Sequence, residues 1–303
     1  MPGLTQSLIL SFVGLSSLCS LGCDSSSSSP GPSAGAPANG GSSPATAGGS
    51  GAPSSGASGA SGSAGAGAGT GCTGALLCDD FESYTGTPGG PWKVTKTKFG
   101  TVAIDGTQHR SGTKAVKVTT SGGMDPDFYQ LAYISLENIF PIANNAFYGR
   151  MMFYVTKAAN DGVHWTMIEA EGAASAQGIT NAQVRYGGQQ QQRLMANYDS
   201  TPKKSDCWQH SATKMPEAKW VCMEWYFDGA TNTQKFWLDG KAIDDLTVAD
   251  YGQSCLNQDT GEKWIYPTFS RVNLGWGSYA KDDPRQAWID DVAIGSSKIG
   301  CPQ

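Results

Sequence analysis

The chain has 303 residues, with 21 Lys plus Arg against 26 Asp plus Glu, a net charge of −5 and a pI near 5.2. That balance argues against a nucleic-acid binder, which normally carries a basic domain. Long apolar heptads are absent, which argues against a coiled coil or bundle, and no stretch after residue 23 is apolar and long enough to span a bilayer.

Residues 8–21 are apolar or small, the length of a signal-peptide core and too short for a spanning helix. A signal peptide is therefore expected over residues 1–22. Ser20-Leu21-Gly22-Cys23 resembles a bacterial lipobox, with Cys23 as the lipidation site. Residues 1–7 hold no Lys or Arg, and Ser20 stands where the lipobox prefers Leu, so an ordinary secretory signal is the alternative. Both place the mature protein outside the cytoplasm, secreted or lipid-anchored at the bacterial surface. Membrane contact is expected only through that anchor.

Residues 23–71 read as a flexible linker. From residue 24 to 71, 44 of 48 positions are Gly, Ser, Ala or Pro. Such a segment lacks the apolar surface to offset the entropy of ordering, and it would reach ~35–40 Å as a random coil. Residues 72–303 hold all nine Trp and suffice for one large core. This part is expected to be monomeric.

Its pattern is all-β. Short aromatic and β-branched runs lie at 115–119, 150–155, 163–169, 183–187, 193–198, 220–227, 235–238, 272–276 and 287–294, separated by turn clusters. Asp239-Gly240 between two such runs marks a two-residue hairpin. Many short strands over this length predict a two-sheet sandwich or β-jelly roll. Such folds often carry a groove on one sheet, where exposed aromatics stack on sugars. Six cysteines, Cys72, Cys78, Cys207, Cys222, Cys255 and Cys301, remain after the signal and Cys23 are set aside. An even count in an exported domain implies disulfides, and no C-x-x-C pair favours a metal.

Several motifs then occur in a telling order. Asp79-Asp80-Phe81-Glu82 opens the domain, followed by His109-Arg110-Ser111-Gly112-Thr113-Lys114. Later come Val163-His164-Trp165-Thr166, Val184-Arg185-Tyr186-Gly187-Gly188-Gln189, Asn273-Leu274-Gly275-Trp276-Gly277-Ser278-Tyr279 and Trp288-Ile289-Asp290-Asp291. This order and spacing resemble the core domain of the fungal cellulose-induced protein family, which is polysaccharide-lyase-like. The resemblance implies a concanavalin A-like jelly roll, a bound structural calcium and a cleft like those of alginate and glucuronan lyases.

The chemistry of such a lyase is β-elimination on a glycan containing uronic acid. The C5 proton of a uronate is not acidic beside a charged carboxylate, so the carboxylate must be neutralised before a base and an acid can act. Gln183, Arg185, Gly187 and Gln189 have period 2 and share one strand face, offering a planar cation and two amides. The pair Gly187-Gly188 could break that parity with a bulge, or let the backbone approach substrate. By resemblance, His164, Arg185 and Gln189 are cleft residues and Tyr279 is the base and acid. Gln183 replaces a family His and can bind but not shuttle a proton. Trp276 is a sugar-stacking candidate. A non-catalytic carbohydrate-binding module is the alternative. A hydrolase would need paired carboxylates, for which Glu169, Glu171 and Glu224 are the available residues, but its usual signature is absent.

The resemblance also implies a calcium site at Glu82, Ser111 and Asp290. Lys114 stands where the family has Asn, and its side chain cannot ligate a metal. Among the cysteines, Cys222 and Cys301 match family positions and are expected to pair, which leaves Cys72–Cys78 and Cys207–Cys255.

Overall fold

The computed structural model describes residues 72–122, 129–176, 178–202, 206–256 and 263–302; the expected signal, Cys23 and the linker lie outside the described residues. In chain order the strands are β1 (Leu77–Asp79), β2 (Trp92–Lys96), β3 (Gly100–Asp105), β4 (Ala115–Thr120), β5 (Gln130–Leu136), β6 (Ala146–Val155), β7 (Trp165–Ala173), β8 (Asn181–Gln189) and β9 (Arg193–Thr201). Then follow β10 (Asp206–Lys214), β11 (Val221–Asp228), β12 (Thr233–Leu238), β13 (Lys241–Ala242), β14 (Val248–Ala249), β15 (Ser254–Cys255), β16 (Thr268–Ser278) and β17 (Arg285–Gly295). Helix among the described residues is confined to two single 3-10 turns.

Two antiparallel sheets form the sandwich. The first runs β13-β12-β11-β6-β17-β4-β3, with β1 also on β17 and β14 on β12; the second runs β15-β10-β9-β8-β7-β16-β5-β2. One apolar cluster draws on both, including Phe153, Trp225 and Ile289 from the first and Trp165, Val184, Leu274 and Trp276 from the second. All nine strands anticipated from pattern are present. The Asp239-Gly240 hairpin is formed too, both residues having positive φ, as a turn matching the strand twist requires. Strand β5 escapes pattern reading because six of its seven residues are buried, which erases alternation. Strand β10 escapes for the opposite reason: only Cys207 and Ser211 are buried in it.

Three disulfides close the fold, Cys72–Cys78, Cys207–Cys255 and Cys222–Cys301. The second joins β10 to the short edge strand β15, and the third ties β11 to the C-terminal segment.

Candidate functional site

The outer face of the second sheet carries a cleft of about 550 Å³. Its floor includes Gln183 and Arg185 of β8 and Glu169 of β7, and its walls include His164, Gln189 and Tyr279. Five of the six cleft residues anticipated from sequence thus line one cavity. A second hollow shares His164, Gln189 and Asp206 with it and extends the groove past Trp208 and His210.

Strand parity and one bulge explain how these residues meet. The ladder between β8 and β9 runs without a break from Asn181↔Thr201 to Gln189↔Arg193, so Gln183, Arg185 and Gln189 do share a face. The bulge lies instead in β7, where Thr166 pairs with Gly187 but Ile168 pairs with Tyr186. The extra residue, Met167, flips the parity of β7. His164 and Thr166 before it and Glu169 after it therefore reach the same face, although their numbers alternate wrongly. The two glycines of β8 make room for this bend rather than for substrate. A Cβ on Gly187 would lie 1.8 Å from the Trp165 carbonyl oxygen, and one on Gly188 would lie 2.3 Å from the Trp165 ring.

Arg185 is nearly fully buried, and its fork is engaged. Nε donates to Glu169 at 2.6 Å, one terminal nitrogen donates to Asn197 at 3.0 Å, and the other donates to Gln183. Asp199 lies 3.8 Å away. Burial alone would lower the guanidinium pKa, but Tyr279 and Glu169 hold it above its ordinary value. Glu169 also accepts from Asn273, while its strand neighbour Glu171 pairs with Arg271. Both carboxylates raised as hydrolase candidates on β7 are therefore held in ion pairs. Glu224 lies in the other sheet, accepting from the Gly300 N–H beside the Cys222–Cys301 bridge.

Tyr279 sits over Arg185, with the guanidinium carbon 5.4 Å from its ring centre. The His164 ring lies 4.8 Å from the Tyr279 ring, and Tyr129 meets Tyr279 edge-on at 5.3 Å. The Tyr279 N–H donates to the His164 carbonyl, which ties the two residues through the backbone. The Tyr279 side chain lines the cleft beside Glu169 and Arg185. Burial pushes its pKa up, Arg185 opposes this, and Glu169 adds to it. The phenol therefore keeps its proton through neutral pH.

Trp276 does not belong to the cleft. It is fully buried, stacks on Trp165 at 5.0 Å and donates to Ser278 Oγ. The reason is parity: Asn273 and Tyr279 of the β16 segment face the cleft, so Trp276 must face the core. The tryptophan of the groove is Trp208, paired across the ladder with Asn197. Pattern reading missed Trp208, Asn197, Asp199 and Asp206, and it raised Glu169 only as a hydrolase carboxylate rather than as the partner of Arg185. The signal available for the last was the odd-numbered period across β7 and β8, read with the bulge.

The residues expected to hold calcium lie on the first sheet. Glu82 follows β1, and both its carboxylate oxygens accept from the loop before β4: Oε1 from the N–H groups of Thr113 and Lys114, Oε2 from the Thr113 hydroxyl. The carboxyl is held below its ordinary pKa because these donors outweigh its burial. Gly112 is required there, having φ +54° and no room for a Cβ, which would lie 2.4 Å from the Glu82 carboxyl. Asp290 of β17 is fully buried and accepts from the N–H groups of Arg110, Ser111 and Asp291. Burial pushes its carboxyl up to about 7 against those bonds. Ser111 spends its hydroxyl on Asp291. Lys114 Nζ donates to the carbonyl oxygens of Glu82 at 2.9 Å and Tyr84 at 3.2 Å. The Glu82 and Asp290 carboxylates and the Ser111 hydroxyl are thus all engaged within the chain, and the fixed positive charge on the Glu82 carbonyl repels a second cation. With Lys114 so placed, these residues do not fit a bound calcium.

The family model for the Cip1-like, core domain, polysaccharide lyase-like, matches residues 80–297. The chain belongs to this family. Among solved structures it is similar to the cellulose-induced protein Cip1, at 24% identity and TM-score 0.56, covering 74% of this chain and 99% of that one. It is also similar to an endo-β-1,4-glucuronan lyase from the fungus Trichoderma reesei, at 14% identity and TM-score 0.53, covering 74% of this chain and 96% of that one. At these identities the likeness shows the fold alone. No curated protein matches.

Proposed function

We propose that this family member is an exported polysaccharide lyase that cleaves a glycan containing uronic acid by β-elimination. The observation that carries the reading is the contact between the His164 and Tyr279 rings in one cleft, above the Arg185 guanidinium. The groove continuing past Trp208 suits an extended chain, and the glucuronan lyase of similar fold supports a uronan as substrate.

The two rings divide the proton work. A protonated Tyr279 is a donor, so the base is the imidazole of His164. His164 removes the C5 proton, the C5–H pair becomes the C4–C5 double bond, the C4–O bond breaks, and Tyr279 protonates the departing oxygen. The proton on His164 then returns to the adjacent phenolate. Arg185 contributes through the N–H groups that Glu169, Asn197 and Gln183 leave over, since a guanidinium has five. That engaged fork is also what favours a second reading, a binding module that holds the glycan without cleaving it. The signal, Cys23 and the linker would tether either form at the cell surface.

The test is incubation with glucuronan and alginate, reading the near-ultraviolet absorbance of the unsaturated product. Tyr279→Phe should lower the rate by roughly two to four orders of magnitude with binding retained. Binding to a uronan with no absorbance from the parent protein would establish the binding module instead.

A further inference from the structure

We propose that Lys114 is a built-in cation that does in this chain the structural work expected of a bound calcium ion. The observation is the convergence of β1, the loop before β4 and β17 on one cradle. Glu82 holds that loop by the Thr113 and Lys114 N–H groups, and Asp290 holds it by those of Arg110 and Ser111. Two carboxylates thus grip one short loop from opposite ends. The carbonyl oxygens of Glu82 and Tyr84 point at a single site, and the Lys114 ammonium is in it. Converging carbonyl and carboxylate oxygens are the donor set of a hard cation. An ammonium meets the same need, because it is a compact point charge with three donors. It is covalently attached, so it carries no cost of capturing a free ion.

The arrangement also follows from chain geometry. Lys114 immediately precedes β4, and its own N–H is bonded to the Glu82 carboxylate. The backbone is therefore fixed at the point from which the side chain reaches back over Glu82. One residue then supplies three bonds and a charge, joining the chain before β2 to the start of β4. This inference is independent of the cleft and of whether it is catalytic.

The experiment is thermal unfolding of the purified domain in chelator and in millimolar calcium, with calcium titration calorimetry beside it. The parent should melt at the same temperature in both buffers and take up no calcium. Lys114→Asn, which removes the charge, should melt on the order of 5 °C lower in chelator, the scale for losing charged hydrogen bonds in a domain of this size. Calcium should restore part of that loss. A parent protein that binds calcium stoichiometrically, or whose melting temperature rises with it, would overturn the proposal. So would a Lys114→Asn protein as stable as the parent in chelator.

Discussion

Arg185 in the cleft and Lys114 in the cradle of the opposite sheet are both cations at the junction of several chain segments, yet their partners differ in kind. Arg185 is held by side chains: one carboxylate and two amide oxygens, from its own strand and the strands on either side. Lys114 is held by two backbone carbonyls from a single loop. A planar fork suits flat acceptors arrayed across a sheet, whereas a point charge suits carbonyls converging from a turn. The side-chain shell lies at the floor of a cleft and can be retuned by substitution. The backbone shell can only be kept or lost. The first is the arrangement of a site and the second that of a clasp.

The contrast can be broken most forcefully at Arg185. Arg185→Met would strand Glu169 as an unpaired buried charge, with an expected loss of about 3–5 kcal/mol in denaturant unfolding. Arg185→Met combined with Glu169→Met should recover most of that loss, since a buried pair contributes little net stability. Equal loss in the single and double variants would mean that packing, not charge, holds the position. A smaller effect is expected among the tryptophans. Trp276→Phe should cost about 1–3 kcal/mol of stability through the core and leave glycan affinity unchanged. Trp208→Ala should weaken affinity about tenfold, or ~1.4 kcal/mol, without comparable destabilisation. The reverse pattern would return Trp276 to the site.

The smallest effect is one of pH. Burial raises the Tyr279 pKa, so the folded protein keeps the phenolic proton above the ordinary value near 10. As a proton donor Tyr279 should sustain turnover on the alkaline side up to at least pH ~10. A rate that instead climbs with pH as the phenolate forms would assign the base role to Tyr279. The same shift has a stability consequence. Its contribution is complete below pH ~10 and is lost as pH rises through the higher folded value.

Much of the fold was legible in the residues, because β-branched and aromatic runs broken by turn chemistry report local structure. Among the strands that went unread, β5 lost its alternation to burial on both faces and β10 to polarity, while β1, β2, β3, β14 and β15 are short and owe their pairing to neighbouring strands. The cleft was legible where a single strand carries it, as in Gln183, Arg185 and Gln189. Trp276 was misplaced although the residues held the answer: an odd-numbered Tyr279 and an even-numbered tryptophan in one extended run face opposite ways.

What the sequence by itself determined is therefore the all-β class, the even cysteine set and the shared face of Gln183, Arg185 and Gln189, all of which follow from composition, period and local turns. Tertiary structure alone decided three things. The bulge at Met167 brings His164 and Glu169 to one face. Glu169 claims the Arg185 fork from a neighbouring strand. Lys114 reaches back over 30 residues to the carbonyls of Glu82 and Tyr84. Each depends on register between strands or on contact between distant segments, and a one-residue slip in pairing would reverse every side chain concerned.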